Sequence, residues 1–310
     1  MTLKISNITD FIPHRHENIL LDHIFKKEDT NLEGALELKI TDNDPLNRQL
    51  FYKKNHLNKT VLITPFFMEI MALAAIVIYN NTDKNKTAVF VSISSFEFFN
   101  DVQINDLISG NVEFLNTKKG FITCRGVLNN NNKELCKGNL SAFFVDINER
   151  KPELKPSEID FTEKNKIDYQ KSSRNKEETM VICDSIIDYS DTSLLATYKY
   201  DSTHPLVKGH FPGNPIMMGV MQWLSIEDCL CHYLEITNQS GNNSYSCSAS
   251  IYNQNKIKIA DIKNIIVESW INISSISNQT NITKTGKINF RNMVSPEDTL
   301  FISIFNITKQ

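Results

Sequence analysis

His204-Pro205-Leu206-Val207-Lys208-Gly209-His210-Phe211-Pro212-Gly213-Asn214-Pro215-Ile216-Met217-Met218-Gly219-Val220 is the stretch that decides how this chain is read. Its glycines and prolines mark a loop, and the loop runs straight into the apolar segment Ile216 to Leu234. That order sets the titratable imidazole of His210 at the mouth of a helix whose first amides have no intrahelical acceptor. A general base beside such N–H donors suits removal of a proton next to a carbonyl, because the helix end can hold the oxygen that gains charge.

Working outward, the periodicity predicts a helix over roughly Ile216 to Ile236 and another over roughly Pro65 to Asn80. Alternating segments after the first helix predict strands at Ala88 to Phe96, Ile108 to Leu115, Gly120 to Leu128 and Asn139 to Val145. The two halves repeat. Phe98-Phe99-Asn100-Asp101-Val102-Gln103-Ile104-Asn105-Asp106 matches Phe290-Arg291-Asn292-Met293-Val294-Ser295-Pro296-Glu297-Asp298, with Phe, Asn, Val and Asp at offsets 0, 2, 4 and 8. A polar, Lys/Glu/Ser-rich stretch at 148–178, with Pro152 and Pro156, reads as a linker between 1–147 and 179–310. One long helix wrapped by an antiparallel sheet, twice over, is an α+β architecture.

Composition removes several function classes. With 310 residues, a net charge of −3 and a pI near 6.2, the chain has length for two domains and no basic surface for nucleic acid. Met1 to Asp10 lacks the basic and apolar regions of a signal peptide, and the apolar helices carry Glu69, Glu227 and Asp228, which argues against membrane spans. The six cysteines show no CxxC pairing and are read as reduced structural thiols of a cytoplasmic protein.

These residues resemble the hot-dog-fold dehydratases of fatty acid synthesis, the FabA/FabZ type, which act on 3-hydroxyacyl thioesters of acyl carrier protein. Ile12-Pro13-His14-Arg15 with Ile19-Leu20-Leu21-Asp22 resembles the family's N-terminal signature, and Gly209 to Val220 its active-site loop. Phe290 to Asp298 resembles its later strand and turn. The resemblance spans most of the chain and implies two fused hot dogs, a covalent version of the family's dimer.

In the family the histidine is joined by an acid fourteen residues later, and here position 224 is Leu. The first half has the opposite defect: Glu69 stands in the acid position, and fourteen residues earlier is Asn55. Since the family's dimers complete one subunit's histidine with the partner's acid, the resemblance implies one site from His210 and Glu69. Asn55, His56 and Leu224 are left as a decayed second site, although His56 with Glu227 or Asp228 is an alternative. The resemblance further assigns Gly219 and Val220 to oxyanion binding and Phe211, Pro212 and Gly213 to the substrate loop. His14 and Arg15 are read as structural or near the entrance.

The implied reaction is dehydration of a 3-hydroxyacyl thioester on a phosphopantetheine arm, with acyl carrier protein as partner and neither metal nor redox cofactor. A dimer of double hot dogs is expected to be possible. Acyl-thioester hydrolysis, double-bond isomerisation and a catalytically degenerate acyl-binding scaffold remain alternatives, and coenzyme A is an alternative carrier. Met218 replaces the family's usual proline and Leu73 its glutamine. The long interval Ser244 to Lys287 predicts an extra hairpin or lid near Ile259 to Ser274, and the early stop after Phe305 predicts an incomplete or differently closed second sheet.

Overall fold

The computed structural model describes residues 2–27, 32–80, 86–146, 155–171, 175–272 and 278–310. The first half runs β1 (Thr2–Ile5), β2 (His23–Lys27), β3 (Glu33–Lys39), the short β4 (Tyr52–Lys54) and β5 (Thr60–Leu62), then helix α1 (Phe66–Tyr79). It continues with β6 (Thr87–Phe98), β7 (Leu107–Lys118), β8 (Phe121–Asn130) and β9 (Lys133–Val145). The second half holds β10 (Ile167–Asp168), β11 (Ser185–Ser190), β12 (Ser193–Lys199) and helix α2 (Gly219–Ile236). It ends with β13 (Gly241–Asn253), β14 (Lys258–Ile271), β15 (Gln279–Phe290) and β16 (Thr299–Lys309).

Helix α1 has no internal Gly or Pro and is apolar nearly all round, the pattern of a helix enclosed by its own sheet. It ends where Asn80 turns left-handed at φ 50° and its N–H bonds the Ile76 carbonyl. Helix α2 starts three residues later than periodicity predicts. Ile216 to Met218 are extended because the Ile216 N–H donates to His210 O and the Met217 N–H to Val294 O, both at 2.8 Å. Met218 is the N-cap residue and its side chain caps nothing, so the α2 amides face forward unsealed.

The fold is a double hot dog, with its two sheets joined edge to edge. β6 and β15 pair antiparallel, Ile93 opposite Ile288 and Asn289 opposite Ser92. The result is one 14-stranded sheet in the order β1-β2-β3-β7-β8-β9-β6-β15-β14-β13-β16-β12-β11-β10. The halves also meet through the core, where Trp223 of α2 stands edge-on to Phe96 of β6 at 4.7 Å.

Matched positions in the two halves carry strands in different chain order. The repeat sets β6 against β15 and β7 against β16, so β8 and β9 occupy the sheet positions of β13 and β14. In the first half that hairpin follows the repeated segment; in the second it precedes it. This accounts for both irregularities of the sequence. The expected insertion or lid between Ser244 and Lys287 is instead β13 and β14, full members of the sheet, and of the two alternatives expected after Phe305 the second sheet follows the differently closed one, with those strands placed earlier in the chain. Residues 273–274 of the expected lid lie outside the described residues.

Of the stretch 148–178, residues 148–154 and 172–174 also lie outside the described residues. The remainder packs on the second half: the Phe161 ring stacks on Phe301 at 3.9 Å, and Ile167 pairs with Ile186. Among the described residues no helix is long and apolar enough to cross a membrane. All six cysteines are buried thiols without a disulfide.

Candidate active site

His210 is held from two directions. Its peptide N–H donates to the Leu206 carbonyl at 3.2 Å, and its ring Nδ1 lies 2.9 Å from the Ile216 carbonyl. A carbonyl can only accept, so Nδ1 carries the proton and Nε2 offers a lone pair. The ring is buried, and burial pushes its pKa down to about 4 against the opposing effect of the backbone hydrogen bonds. At neutral pH it is an uncharged base.

Glu69 lies in the first turn of α1, a helix that the hydrophobic effect places inside the sheet. Only 3% of it is exposed, and burial alone raises its carboxyl to about 8. At neutral pH it is a protonated acid. Its Oε2 has no hydrogen-bond partner among the described residues.

Base and acid come from opposite halves and share one cavity of about 470 Å³. Glu69, Ala72 and Ile76 line it along one stripe of α1, a run of roughly 10 Å at the helical rise. Phe121, Phe143 and Phe290 add apolar wall. Gly219, the first residue of α2, also lines it, with an N–H that has no acceptor one turn back. A Cβ at Gly219 would stand 3.1 Å from the Phe90 ring and 3.2 Å from Phe290, so glycine permits this close wall.

The other loop residues divide. Phe211 lines the cavity, stacked 4.2 Å from His210. Pro212 and Gly213 are exposed on the outer side, where Gly213 makes a turn at φ 82°, and Val220 is buried in the core away from the cavity. The sequence assignment of Pro212 and Gly213 to the substrate loop is therefore corrected, because the loop reverses at Gly213 and carries both outward; the Val220 side chain points into the core, and the oxyanion role expected of this residue rests on its backbone N–H in the first turn of α2.

His14, read from sequence as structural or near the entrance, sits inside the cluster. Its Nε2 is 3.8 Å from Glu69 Oε1, and its ring centroid is 4.9 Å from that of His210. One donor atom from each of His14, Glu69 and His210 lies within 4.8 Å of the others. The segment carrying His14 crosses to the second half, where Arg15 N–H bonds the Gly209 carbonyl at 3.1 Å and Asn18 reaches the Leu206 carbonyl. Gly209 is required for this docking, since a Cβ there would collide with the Arg15 carbonyl and the Asn18 amide.

Two imidazoles and a carboxyl are also a donor set for a divalent metal, and they are the one such group among the described residues. The fit is poor. His14 Nδ1 lacks the outer hydrogen-bond partner that orients a metal-bound histidine, and Glu69 Oε2 lacks one too among the described residues.

At the pseudo-equivalent place the cavity is filled. Asn55 has become a turn brace, accepting from Leu57 N–H and Lys59 N–H and donating to Asp101 at 2.8 Å. His56 is exposed and stacks flat on Trp270 at 4.4 Å, and Leu224 is core. Glu227 is closed by an ion pair with Lys53, and Asp228 by Lys176 at 2.6 Å and the Ile182 N–H. The alternative pairing of His56 with Glu227 or Asp228 thus fails, because both acids are engaged by lysines.

A hot-dog pair with an acid and a base at the junction is the class that fold and cavity define. No family profile matches the chain. It is 27% identical over 143 residues to the 3-hydroxyacyl-[acyl-carrier-protein] dehydratase FabZ of Buchnera aphidicola subsp. Acyrthosiphon pisum, covering 45% of this chain and 91% of that one. It is 24% identical over the same length to FabZ of Erwinia tasmaniensis. Among solved structures, the dehydratase domain from the CurK module of curacin polyketide synthase covers 96% of this chain and 98% of its own, at 11% identity and a TM-score of 0.49. The dehydratase heterocomplex ApeI:P from Xenorhabdus doucetiae covers 45% of this chain at 14% identity and a TM-score of 0.37. The sequence likeness to FabZ supports the hot-dog dehydratase family that the motifs indicated.

Proposed function

We propose that this chain dehydrates 3-hydroxyacyl thioesters, with acyl carrier protein as the carrier, in fatty acid or polyketide-type synthesis. The observation that carries the reading is the pairing of a neutral His210 base with a protonated Glu69 acid, one from each half, on one apolar cavity. His210 Nε2 takes the C2 proton. Charge moves to the thioester oxygen, which the Gly219 N–H at the start of α2 receives. Glu69 gives its proton to the C3 hydroxyl, which leaves as water. The C2–H and C3–O bonds break, the C2–C3 double bond forms, and proton transfer from His210 back to Glu69 resets both groups. The relatives named FabZ act on acyl-carrier-protein substrates, which supports the choice of carrier.

The test is to incubate the protein with 3-hydroxyacyl carrier protein and follow 2-enoyl thioester and free thiol together. The reading expects enoyl thioester without thiol release. Thiol release without enoyl product would mean a hydrolase, and tight binding with neither product a scaffold.

A further inference from the structure

We propose that His14 is a positioning residue for the acid: its ring N–H receives the charge that appears on Glu69 when the proton leaves. The proposal rests on the reading of Glu69 as the general acid. Three observations support it. His14 Nε2 faces Glu69 Oε1 at 3.8 Å inside the cavity, one small side-chain rotation from a hydrogen bond. Glu69 Oε2 and His14 Nδ1 have no partner among the described residues, so the oxygen and the ring that face this corner of the cavity are both unsatisfied at rest. A buried carboxylate without a donor is strongly disfavoured, and Glu69 could not release its proton readily without one.

The third observation is the chain's own second copy of the arrangement. Asp22 and Asp184 are matched positions: each accepts from a strand N–H through Oδ2, Lys39 in one case and Lys199 in the other. Counting eight residues back from each gives His14 and Lys176. Where base and acid have become Asn55 and Leu224, the position of His14 has become a lysine that neutralises Asp228. All three members of the cluster are present on one side, and all three are replaced on the other.

Among the titratable side chains, the surroundings leave His14 as the one that faces Glu69. Among the described residues the titratable side chains lining the cavity are His14, Glu69, His210 and Arg291, and Arg291 is engaged by Asp261 at 2.6 Å. Helix α2 presents Gln222, which does not titrate. Cys124 of β8 and Cys136 of β9, on strands packed against α1, are thiols that burial keeps protonated. His210 is committed through Nδ1 to the Ile216 carbonyl and through Nε2 to the substrate. Burial, with His210 and Arg15 nearby, holds His14 well below the ordinary imidazole range, so it is a neutral donor and adds no charge of its own.

The experiment compares the wild type, His14→Phe and His14→Gln, the last keeping an N–H near the Nε2 position. Two readouts are taken: the pH dependence of kcat for dehydration, and the carboxyl titration of Glu69 followed by carbon NMR. Loss of a charge-assisted hydrogen bond should lower kcat roughly 10- to 100-fold in His14→Phe and raise the Glu69 pKa, with the alkaline limb, by about one to two units. His14→Gln should restore both in large part, with KM little changed. An unmoved Glu69 titration in His14→Phe would overturn the proposal, whatever happens to kcat. Absence of turnover in the wild type would instead sink the dehydratase reading, and the NMR titration would still decide the role of His14.

Discussion

Replacing Glu69 by Gln should make the protein more stable as it removes activity, and the gain should depend on pH in a defined way. The carboxyl titrates near 4.5 in the unfolded chain and near 8 in the fold, because burial disfavours its charge. Between those values the folded state holds a proton that the unfolded state has released. A raised acid pKa therefore gives stability that is intact below pH 4.5 and drains as pH climbs toward 8. The loss is about 1.4 kcal/mol per pH unit, so roughly 3 kcal/mol is gone by pH 7 and roughly 4 kcal/mol by pH 8. Glutamine has nearly the same shape and no charge to suppress. Since His210 and His14 titrate in both proteins, their effects largely cancel in the difference. Urea unfolding of wild type and Glu69→Gln at half-unit steps from pH 4.5 to 8.5 measures it. The difference should grow steadily from its value at pH 4.5 and level off above pH 8. A flat difference across that range would refute the argument that Glu69 is buried as a neutral acid.

Three further outcomes follow from the same geometry. The pH profile of dehydration should be bell-shaped: activity needs His210 neutral, above about pH 4, and Glu69 protonated, below about pH 8, so steady-state rates from pH 4 to 9 should fall on both sides. Gly219→Val should cut kcat by roughly 100-fold by pressing Phe90 and Phe290 away from the first α2 amides, a loss typical of a removed oxyanion donor; an unchanged kcat would remove Gly219 from the site. Lys53→Ala should leave Glu227 buried without its partner and lower unfolding stability by about 3–5 kcal/mol, measured by urea titration at pH 7.

Local pattern carried much of this molecule. The Gly/Pro loop around His210, the apolar neighbours of Glu69 and the echo of Phe98 to Asp106 in Phe290 to Asp298 are each contained in a few consecutive residues. By themselves they mark two α+β repeats and a histidine at a helix mouth; the fused hot dogs and the pairing of His210 with Glu69 across the halves come from the resemblance these motifs carry. What escaped was set by contacts distant in sequence. His14 enters the cluster because its segment docks across the junction on Gly209, and no local periodicity marks that crossing. One signal was present: the same spacing before Asp22 and Asp184 sets a histidine against a lysine.

The later start of α2 and the altered strand order have the same origin. Apolar residues Ile216 to Met218 fit a helical pattern, but hydrogen bonds to His210 and Val294 hold them extended. The hairpins β8–β9 and β13–β14 fill equivalent places in the sheet from different points along the chain, so spacing alone suggested an insertion. Lys53 and Lys176 carry no local mark of burial, and the fold sets them against Glu227 and Asp228 through contacts distant in sequence.

The claim on which the account turns is that one catalytic centre is shared between the halves, and turnover of three single variants tests it most directly. With 3-hydroxyacyl carrier protein as substrate, His210→Ala and Glu69→Gln should each abolish formation of enoyl thioester, and Asn55→Ala should leave it nearly intact. Comparable activity in Glu69→Gln and the wild type would contradict it.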